Sequence, residues 1–454
     1  MSNYVYLDKR GIYLHYIAEQ LSKNEEYKKR IYFEGYQGDP SKPILCISPR
    51  VKTNKSQEIF TIKIHIKLSE KVFKLSRLLP NRNNFNPNLT TMEDSTAKLE
   101  NKQKTQKNPE KEEKNPEKME INEEKNEEIS KKVEKMGGIL NSYILEDIYS
   151  MEHLKLLNFY LAANKVYLDS IILIKVWLRQ REFDQTRKPN FSGFLGSMIL
   201  IYLIKFNKIN SQMSSYQIFK IFLHFLSTDQ LLEGISLSEE FSPSQKAIFK
   251  NVFEVVFVDN SNNLNLTNRL RKSDFLQIQN QAKLSISLLD NYSTGFHYLF
   301  LSKIPSSLQL DHFFIVSDFL PNAEKVISMF KDAPLSPEGF NHFHFAFFHQ
   351  SLVEIFNLLK EALPDRIELL FINFTNLPEW NLSSTASPSL SDVKLLVSLK
   401  INRENAFDNL IRGPSADLPL AARFRLFFIF PPFFFFAFSI LLFYSLVERT
   451  HEKH

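Results

Sequence analysis

Cysteine is nearly absent from this sequence, which has Cys46 as its one thiol. A single cysteine excludes disulfide bonds within the chain and zinc sites built from thiolates, and it favours a reducing compartment. The first residues contain no apolar stretch of signal-peptide length, so we do not expect secretion. The net charge of +5 over 454 residues is small. It permits nucleic-acid binding without predicting it, because a binding face depends on local clustering of charge.

The motifs of nucleotide chemistry are also missing. A nucleotidyltransferase of the polymerase-beta type needs a Gly-Ser turn and then two carboxylates at alternate strand positions, which hold two metal ions. No such acid pair follows a Gly-Ser turn, and Gly196-Ser197 leads into the apolar run 198–201. There is no P-loop and no dinucleotide fingerprint. We therefore predict no catalytic residue and no cofactor, and we interpret Gly193 and Gly196 as positions of close helix packing.

Three histidines, His342, His344 and His349, lie close together in a segment with a helical pattern. Zinc sites on helices favour ligands four residues apart with an acidic third ligand, and the offsets of two, five and seven residues do not fit. We interpret these histidines as exposed or capping residues and predict no metal site.

Composition divides the chain into five parts. Residues 1–90 and 308–425 mix helical and strand patterns, whereas residues 139–307 are mostly helical. Residues 91–138 repeat Lys-Asn-Pro-Glu-Lys and contain few apolar side chains, which predicts a disordered charged insertion. Residues 426–454 form a separate, Phe-rich tail.

Local patterns predict individual elements. Apolar spacing predicts a helix over 12–21, and alternating or short apolar runs predict strands. The predicted strands cover residues 30–36, 43–48, 59–68, 366–373 and 394–400. Two further runs, 252–259 and 264–266, flank Asn260-Ser-Asn-Asn263 and predict a hairpin.

The densest basic run on predicted structured sequence begins in an apolar helix over 168–182. The run consists of Lys175, Arg179, Arg181, Arg187 and Lys188. Lysine and arginine contact phosphates without reading sequence, so this run is our RNA-contact candidate. The alternative interpretation is a solvated polar stripe on a helix that is otherwise buried.

The tail contains an uncharged segment, Leu426–Val447, that has the ~20 residues needed to span a bilayer. Pro431-Pro432 and the abrupt change after Arg425 argue against an anchor. Phe, Pro, Ser and Leu are the residues that pyrimidine-rich DNA encodes, so we interpret the tail as a suspected translated intron. A cDNA across this junction distinguishes the two interpretations, and we do not expect a membrane partner.

Segments along most of residues 1–425 are similar, in the same order, to the Nrap family of nucleolar RNA-associated proteins. The longest begins with Ile174-Lys-Val-Trp-Leu-Arg-Gln-Arg-Glu-Phe183. The others are Arg77–Asn84, Gly193–Met198, Lys208–Gln217, Gly234–Leu237, Val256–Asn260, Leu264–Leu266, Ser287–Asp290, Gly295–His297, Pro378–Trp380, Gly413–Asp417 and Ala421–Arg425.

This resemblance implies an α+β fold, with tandem nucleotidyltransferase-like mixed sheets and a helical domain like that of poly(A) polymerases and oligoadenylate synthetases between them. Residues 1–90 then form the C-terminal part of a first nucleotidyltransferase-like domain, 139–307 the helical domain, and 308–425 the start of a second nucleotidyltransferase-like domain. The implied function is a non-catalytic scaffold of the small-subunit processome (UTP-C complex) in the nucleolus. Its implied partners are pre-ribosomal RNA, an Rrp-seven-type protein and casein kinase two.

The sequence departs from the family pattern at both ends. It begins after the place where the Gly-Ser and carboxylate-equivalent segment of the family would lie, and it stops matching at Arg425. The alternative function is therefore an active template-independent nucleotidyltransferase whose acids precede this chain. The upstream genomic sequence discriminates between the two, because a Gly-Ser turn with an acid-x-acid strand would favour the enzyme.

Overall fold

The structure is a computed structural model of the 454-residue chain. It describes residues 4–82, 116–316 and 356–405, with gaps inside these ranges. The gaps are residues 25–29, 38, 49, 53–56, 163, 184–190, 292–293, 303–309, 358, 361–362, 364–365 and 376–393.

The first unit packs helix α1 on a small antiparallel sheet. The elements are α1 (Tyr4–Ser22), β1 (Ile31–Tyr36), β2 (Asp39–Ile47), β3 (Arg50–Lys52), β4 (Gln57–Ile59) and β5 (Ile62–Ile64). The sheet order is β1-β2-β5, and β3 pairs separately with β4. Leu14 and Ala18 of α1 are buried against Leu45 of β2 and its neighbours, which fits the apolar spacing of the helix.

The predicted helix over 12–21 and the predicted strands over 30–36 and 43–48 are confirmed. The predicted strand over 59–68 is too long, because β5 ends at Ile64. Beyond β5 the chain leaves the sheet, and the amide of Leu68 donates a hydrogen bond to the carbonyl of Asp147 at 3.0 Å.

The second unit is built mainly of helices. They are α2 (Pro116–Leu157), α3 (Lys165–Gln180), α4 (Gly193–Lys205), α5 (Ser215–Leu226), α6 (Gln230–Glu233), α7 (Pro243–Val252) and α8 (Lys272–Asn291). Two π-turns, Asn158–Ala162 and His297–Leu301, follow α2 and α8. Of the predicted disordered insertion over 91–138, residues 116–138 instead belong to α2, and residues 91–115 lie outside the described residues. Proline is favoured at the first helical position and Glu and Lys are good helix formers, so a lack of apolar residues did not preclude a helix.

The core of the second unit surrounds Trp177 of α3, which is fully buried against Phe219 of α5. Ser214 and Gln217 form a capping box that begins α5. A Cβ on Gly196 of α4 would lie 3.0 Å from Ile174 Cγ2, so α4 can approach α3 closely only with a small residue there. This contact agrees with the interpretation of that glycine as a packing position.

The predicted hairpin over 252–266 is much shorter than expected: Asp259 N donates to the Leu264 carbonyl at 2.9 Å, and Leu266 N donates to the Phe257 carbonyl at 2.7 Å. Strand β7 (Phe257–Val258) pairs in parallel with β6 (Ile235–Ser236), and only one antiparallel bridge joins Val258 to Asn265. Before this pairing the side chain of Asn265 bonds to the first arm, since it accepts from the amide of Phe257 at 2.8 Å and donates to the carbonyl of Val255 at 2.9 Å. Side-chain hydrogen bonds of this kind are invisible to an apolar pattern.

A third unit holds an antiparallel sheet of order β8-β10-β9. Its strands are β8 (His312–Val316), β9 (Ile367–Thr375) and β10 (Lys394–Ile401), which confirm the strands predicted over 366–373 and 394–400. The chain is therefore of the α+β class, as predicted. Within the described ranges, no helix is both long and apolar enough to cross a bilayer. The Phe-rich tail lies outside those ranges.

Candidate functional site

Six charged side chains are buried where the first unit packs on the second unit. We call them the ionic cluster: Arg10, Asp39, Lys42, Glu146, Asp147 and Arg269. Helix α1 and strand β2 supply three of them, α2 supplies two, and the loop before α8 supplies the last. Three cations face three carboxylates, so the cluster is formally neutral. Charges that are buried at this depth require partners, and here each one has them.

Lys42 lies between two carboxylates of α2. Its Nζ is 2.9 Å from Glu146 Oε2 and 2.9 Å from Asp147 Oδ1, and it donates to the carbonyl of Tyr143 at 2.7 Å. The three donors of the ammonium group are thus all used. This arrangement ties β2 to α2.

Arg269 binds two carboxylates, those of Asp39 and Glu146. Its Nε is 2.8 Å from Asp39 Oδ2, and its two Nη atoms donate to both oxygens of Glu146, one of them at 2.9 Å from Nη2. The guanidinium also lies over the Tyr143 ring, 4.7 Å from its centroid. The fork of an arginine matches a carboxylate in two parallel hydrogen bonds, so this contact fixes both position and orientation.

Arg10 completes the cluster from α1. Its Nε is 2.8 Å from Asp147 Oδ2, and its Nη1 donates to the carbonyl of Pro43 at 2.5 Å. The Tyr6 hydroxyl donates to the same Asp147 oxygen at 2.7 Å. Asp147 therefore accepts from Arg10, Lys42 and Tyr6, which belong to two elements of the first unit.

The pKa values of the cluster reflect this pairing. Burial would raise the pKa of Glu146, but the charges of Arg269 and Lys42 outweigh burial and lower that pKa to about 2. Burial and the neighbouring Glu146 raise the pKa of Tyr36, which lies beside Lys42. At neutral pH the carboxylate is therefore charged and the phenol is neutral. Neither is suited to transfer a proton near pH 7.

The cluster is a poor metal site because its carboxylate oxygens already bind cations of the chain. A divalent ion would have to displace Lys42 or Arg269 from Glu146. Within the described residues, no group of three or more His, Cys, Asp or Glu side chains could hold a metal ion. The three histidines of the sequence analysis, His342, His344 and His349, lie outside those residues.

The predicted RNA-contact residues divide into three sets. Lys175 and Arg179 are exposed on α3, one helical turn apart, on the face that also exposes Leu168 and Ile172. Neither basic side chain makes an ion pair with a described residue. These two cations are therefore available to an external anion.

Arg181 departs from the prediction. It is only 2% exposed, and its Nη2 donates to the carbonyl of Tyr298 at 3.2 Å while its Nη1 has no partner among the described residues. Burial lowers the pKa of Arg181 to about 10. The side chain points into the protein because the chain leaves the helix at this position, and it is not accessible to RNA. Arg187 and Lys188 lie outside the described residues.

The ionic cluster was missed because its members are far apart in the chain, up to 230 residues in the pair Arg269–Asp39. One local signal was present. Glu146-Asp147 stands between the buried apolar residues Leu145 and Ile148 of one helix, a position where a charged pair needs buried cations. The positions of those cations had no signal in the sequence.

Three models of one family match consecutive parts of the chain. Residues 1–111 match "Nrap protein domain 1", residues 166–303 match "Nrap protein PAP/OAS-like domain", and residues 324–428 match "Nrap protein domain 3". The second match covers α3 to the π-turn after α8 and thus includes Lys175 and Arg179.

Curated relatives are similar over nearly the whole chain. "Nucleolar protein 6" of Homo sapiens is 30% identical over 430 residues, which are 94% of this chain and 34% of the relative. The protein of the same name in Xenopus laevis is 30% identical over 429 residues, again 94% and 34%. That of Drosophila willistoni is 24% identical over 432 residues, 94% and 32%. The chain spans about a third of the length of the curated relatives it matches.

Proposed function

This chain belongs to the Nrap family, and we propose that it serves ribosome biogenesis in the nucleolus as a non-catalytic segment that binds RNA. The nucleolus is the compartment that the names of the curated relatives carry. The likeness of residues 166–303 to poly(A) polymerases and oligoadenylate synthetases is a relationship of fold. A fold is compatible with many functions, so the function has to be argued from the sites.

The occupation of the ionic cluster supports the non-catalytic part of the proposal for the described residues, and the assay below tests the acids that would precede this chain. Two-metal phosphoryl transfer needs carboxylates whose oxygens are free to bind the ions. At the junction of the two units, Glu146 and Asp147 instead bind Lys42, Arg269 and Arg10. The cluster holds the units together, so it supports a rigid docking body.

The exposed pair Lys175 and Arg179 supports the RNA-binding part. Both cations lie on one face of α3 and neither has a carboxylate partner among the described residues. Phosphate contacts of this type position a protein on RNA without reading sequence. Arg187 and Lys188 follow Arg179 in the sequence, and they belong to the proposed RNA contact.

The proposal also specifies the RNA, the assembly and the protein partners. The RNA is pre-ribosomal RNA, the assembly is the small-subunit processome with its UTP-C complex, and the protein partners are an Rrp-seven-type protein and casein kinase two. The proposed domains are residues 1–90, 139–307 and 308–425, with an insertion between the first two and a Phe-rich tail after the third; the family matches extend slightly beyond these bounds, to residues 111 and 428.

A nucleotide-incorporation assay tests the non-catalytic part. The full-length protein is incubated with labelled nucleoside triphosphates, an RNA primer and Mg²⁺ or Mn²⁺, beside an active poly(A) polymerase. We expect no primer extension. Metal-dependent extension that disappears when a single aspartate is changed to alanine would establish the alternative, a template-independent nucleotidyltransferase.

Crosslinking in cells tests the RNA-binding part. We expect Lys175→Glu combined with Arg179→Glu to reduce the pre-ribosomal RNA recovered with the ultraviolet-crosslinked protein. Lys250→Glu is the matched control, because Lys250 is an exposed lysine on α7, a helix that packs on α2. Equal recovery from the double variant and the control would remove this surface from the proposal.

A further inference from the structure

We infer that the RNA bound beside α3 is single-stranded and that its bases stack on an aromatic platform formed by Phe296, His297 and Tyr298. This inference rests on the proposed RNA binding and names the class of RNA. The three residues lie at the start of the π-turn that follows α8. All three side chains are exposed, including 49% of Phe296 and 45% of Tyr298.

The platform is attached directly to the end of α3. Gln180 Nε2 donates to the carbonyl of Phe300 at 2.9 Å, and Arg181 Nη2 donates to the carbonyl of Tyr298 at 3.2 Å. Arg179 immediately precedes these two residues and is exposed. The buried Arg181, which is unsuitable for RNA contact, therefore joins the exposed cations of α3 to the aromatic turn.

The turn is also positioned from its other side. A Cβ on Gly295 would lie 2.5 Å from the carbonyl oxygen of Leu288, so only glycine allows the turn to lie this close to α8. Leu299 and Phe300 point inward and are buried in the core of the second unit. With these two anchors fixed, the preceding rings face solvent.

Phe296 packs on the buried Phe300, with ring centroids 4.8 Å apart, whereas His297 and Tyr298 are not part of the buried core. Buried residues 299 and 300 already supply the apolar contact of the turn, yet Leu301 is 65% exposed and the rings before Leu299 are exposed as well. Apolar groups exposed together in this way mark interaction sites in soluble proteins. The turn bonds to the end of α3, the helix that exposes the cations Lys175 and Arg179, which favours a polyanion as the partner.

Single-stranded RNA fits both properties. Its unstacked bases stack on Phe, Tyr and His rings, while its phosphates pair with Lys and Arg. A double helix buries the faces of its bases and offers only phosphates and 2′-hydroxyls to such a surface. The platform therefore predicts a preference for single strands that Lys175 and Arg179 alone would not give.

Binding of fluorescein-labelled RNA to the full chain, followed by anisotropy, tests the inference. The probes are a 16-nucleotide single strand of mixed sequence and a duplex of the same sequence. We expect Tyr298→Ala to weaken single-strand binding about tenfold, the usual loss for one stacked base, and to leave duplex binding unchanged. Tyr298→Phe keeps the ring and should bind as the unmodified chain does.

The controls separate two kinds of failure. If the unmodified chain binds neither probe, or if Lys175→Glu with Arg179→Glu changes nothing, the proposed RNA surface is wrong. If that double variant weakens binding but Tyr298→Ala does not, the surface binds RNA and the aromatic platform is wrong. Equal weakening of both probes by Tyr298→Ala would also overturn the platform.

A crosslinking map gives a second readout that needs no variant. Single-stranded RNA carrying 4-thiouridine is irradiated with the unmodified chain, and the crosslinked peptides are identified by mass spectrometry. We expect crosslinks within residues 294–302. Crosslinks confined to other parts of the chain, or protection of this turn by a co-purified protein instead of by RNA, would contradict the inference.

Discussion

Two regions of this chain use the same residue types in opposite ways. In the ionic cluster, Lys42, Arg269 and Arg10 are buried and each binds a carboxylate of the chain. On α3, Lys175 and Arg179 are exposed and bind none among the described residues. The first set joins two units of the fold, whereas the second set is free for a partner. Under the proposed function, the environment of a charge, and not its sign, therefore distinguishes the structural cations from those that bind RNA.

The difference has an energetic basis. Removing one member of a buried pair leaves an uncompensated charge in a poorly hydrated place, whereas an exposed charge keeps its water. Substitutions in the cluster should therefore change stability, and substitutions on α3 should change binding alone. Each prediction below tests one side of this contrast.

The largest effect is expected for Arg269→Met. It leaves Glu146 and Asp39 without their shared guanidinium, and breaking a buried pair in this way costs about 3–5 kcal/mol. Urea unfolding followed by circular dichroism measures the loss. The control is Lys220→Met, which breaks an exposed pair with Asp290 and should cost less than about 1 kcal/mol. Similar losses for the two variants would contradict the contrast.

We expect acid to lower the stability of the fold through the same cluster. The folded chain holds the pKa of Glu146 at about 2, below its ordinary value of 4.5, so this group stabilises the fold above pH 4.5. That contribution, roughly 3 kcal/mol, is lost as the pH falls from about 4.5 towards 2. Urea midpoints measured between pH 6 and pH 2.5 should therefore decline. Glu368→Gln, at an exposed glutamate of β9, should leave the decline unchanged; a midpoint that stays constant below pH 4 would argue against a charged Glu146.

The sequence predicted elements better than it predicted this cluster. Apolar spacing located α1 and the helix that carries Lys175, because burial on one face of a helix is a local property. The cluster depends on contacts between residues in different units, such as Arg269 and Asp39, for which no local pattern exists. The charged composition of residues 116–138 predicted disorder, whereas these residues are helical.

Within the predicted RNA-contact run, helical spacing was informative only up to the end of α3. Lys175 and Arg179 follow the period of the helix and are exposed. Arg181 lies at the helix end, where the period no longer gives the direction of a side chain, and it is buried. At the aromatic turn, the family resemblance covers Gly295–His297 and implies no role for these residues.

A smaller effect is expected for Arg181→Met. This variant allows Arg181 to be compared with Arg179, which lies at the same end of α3. Among the described residues, the guanidinium of Arg181 donates one hydrogen bond and its buried Nη1 has no partner, so replacing it by an apolar side chain should change the unfolding free energy by no more than about 1 kcal/mol. RNA affinity should fall by no more than about twofold, because Gln180 still donates to the carbonyl of Phe300 and holds the aromatic turn on α3. A loss of affinity as large as that of Arg179→Met would return Arg181 to the binding surface.

The smallest effect on stability is expected for Lys175→Glu with Arg179→Glu. Both side chains are exposed, so the unfolding free energy should change by less than about 0.5 kcal/mol per residue. Thermal unfolding beside Lys250→Glu measures this. A loss of more than about 2 kcal/mol would assign the two residues to the fold.

The salt dependence of RNA binding by that same double variant is the most direct test of the contrast between structural and binding charges. Each phosphate contact to a single strand contributes about 0.7 to the slope of log affinity against log salt concentration. We expect the slope to become shallower by about 1.4 in the double variant, with stability unchanged, and to stay the same in Lys250→Glu. An unchanged slope in the double variant would contradict the assignment of Lys175 and Arg179 to RNA.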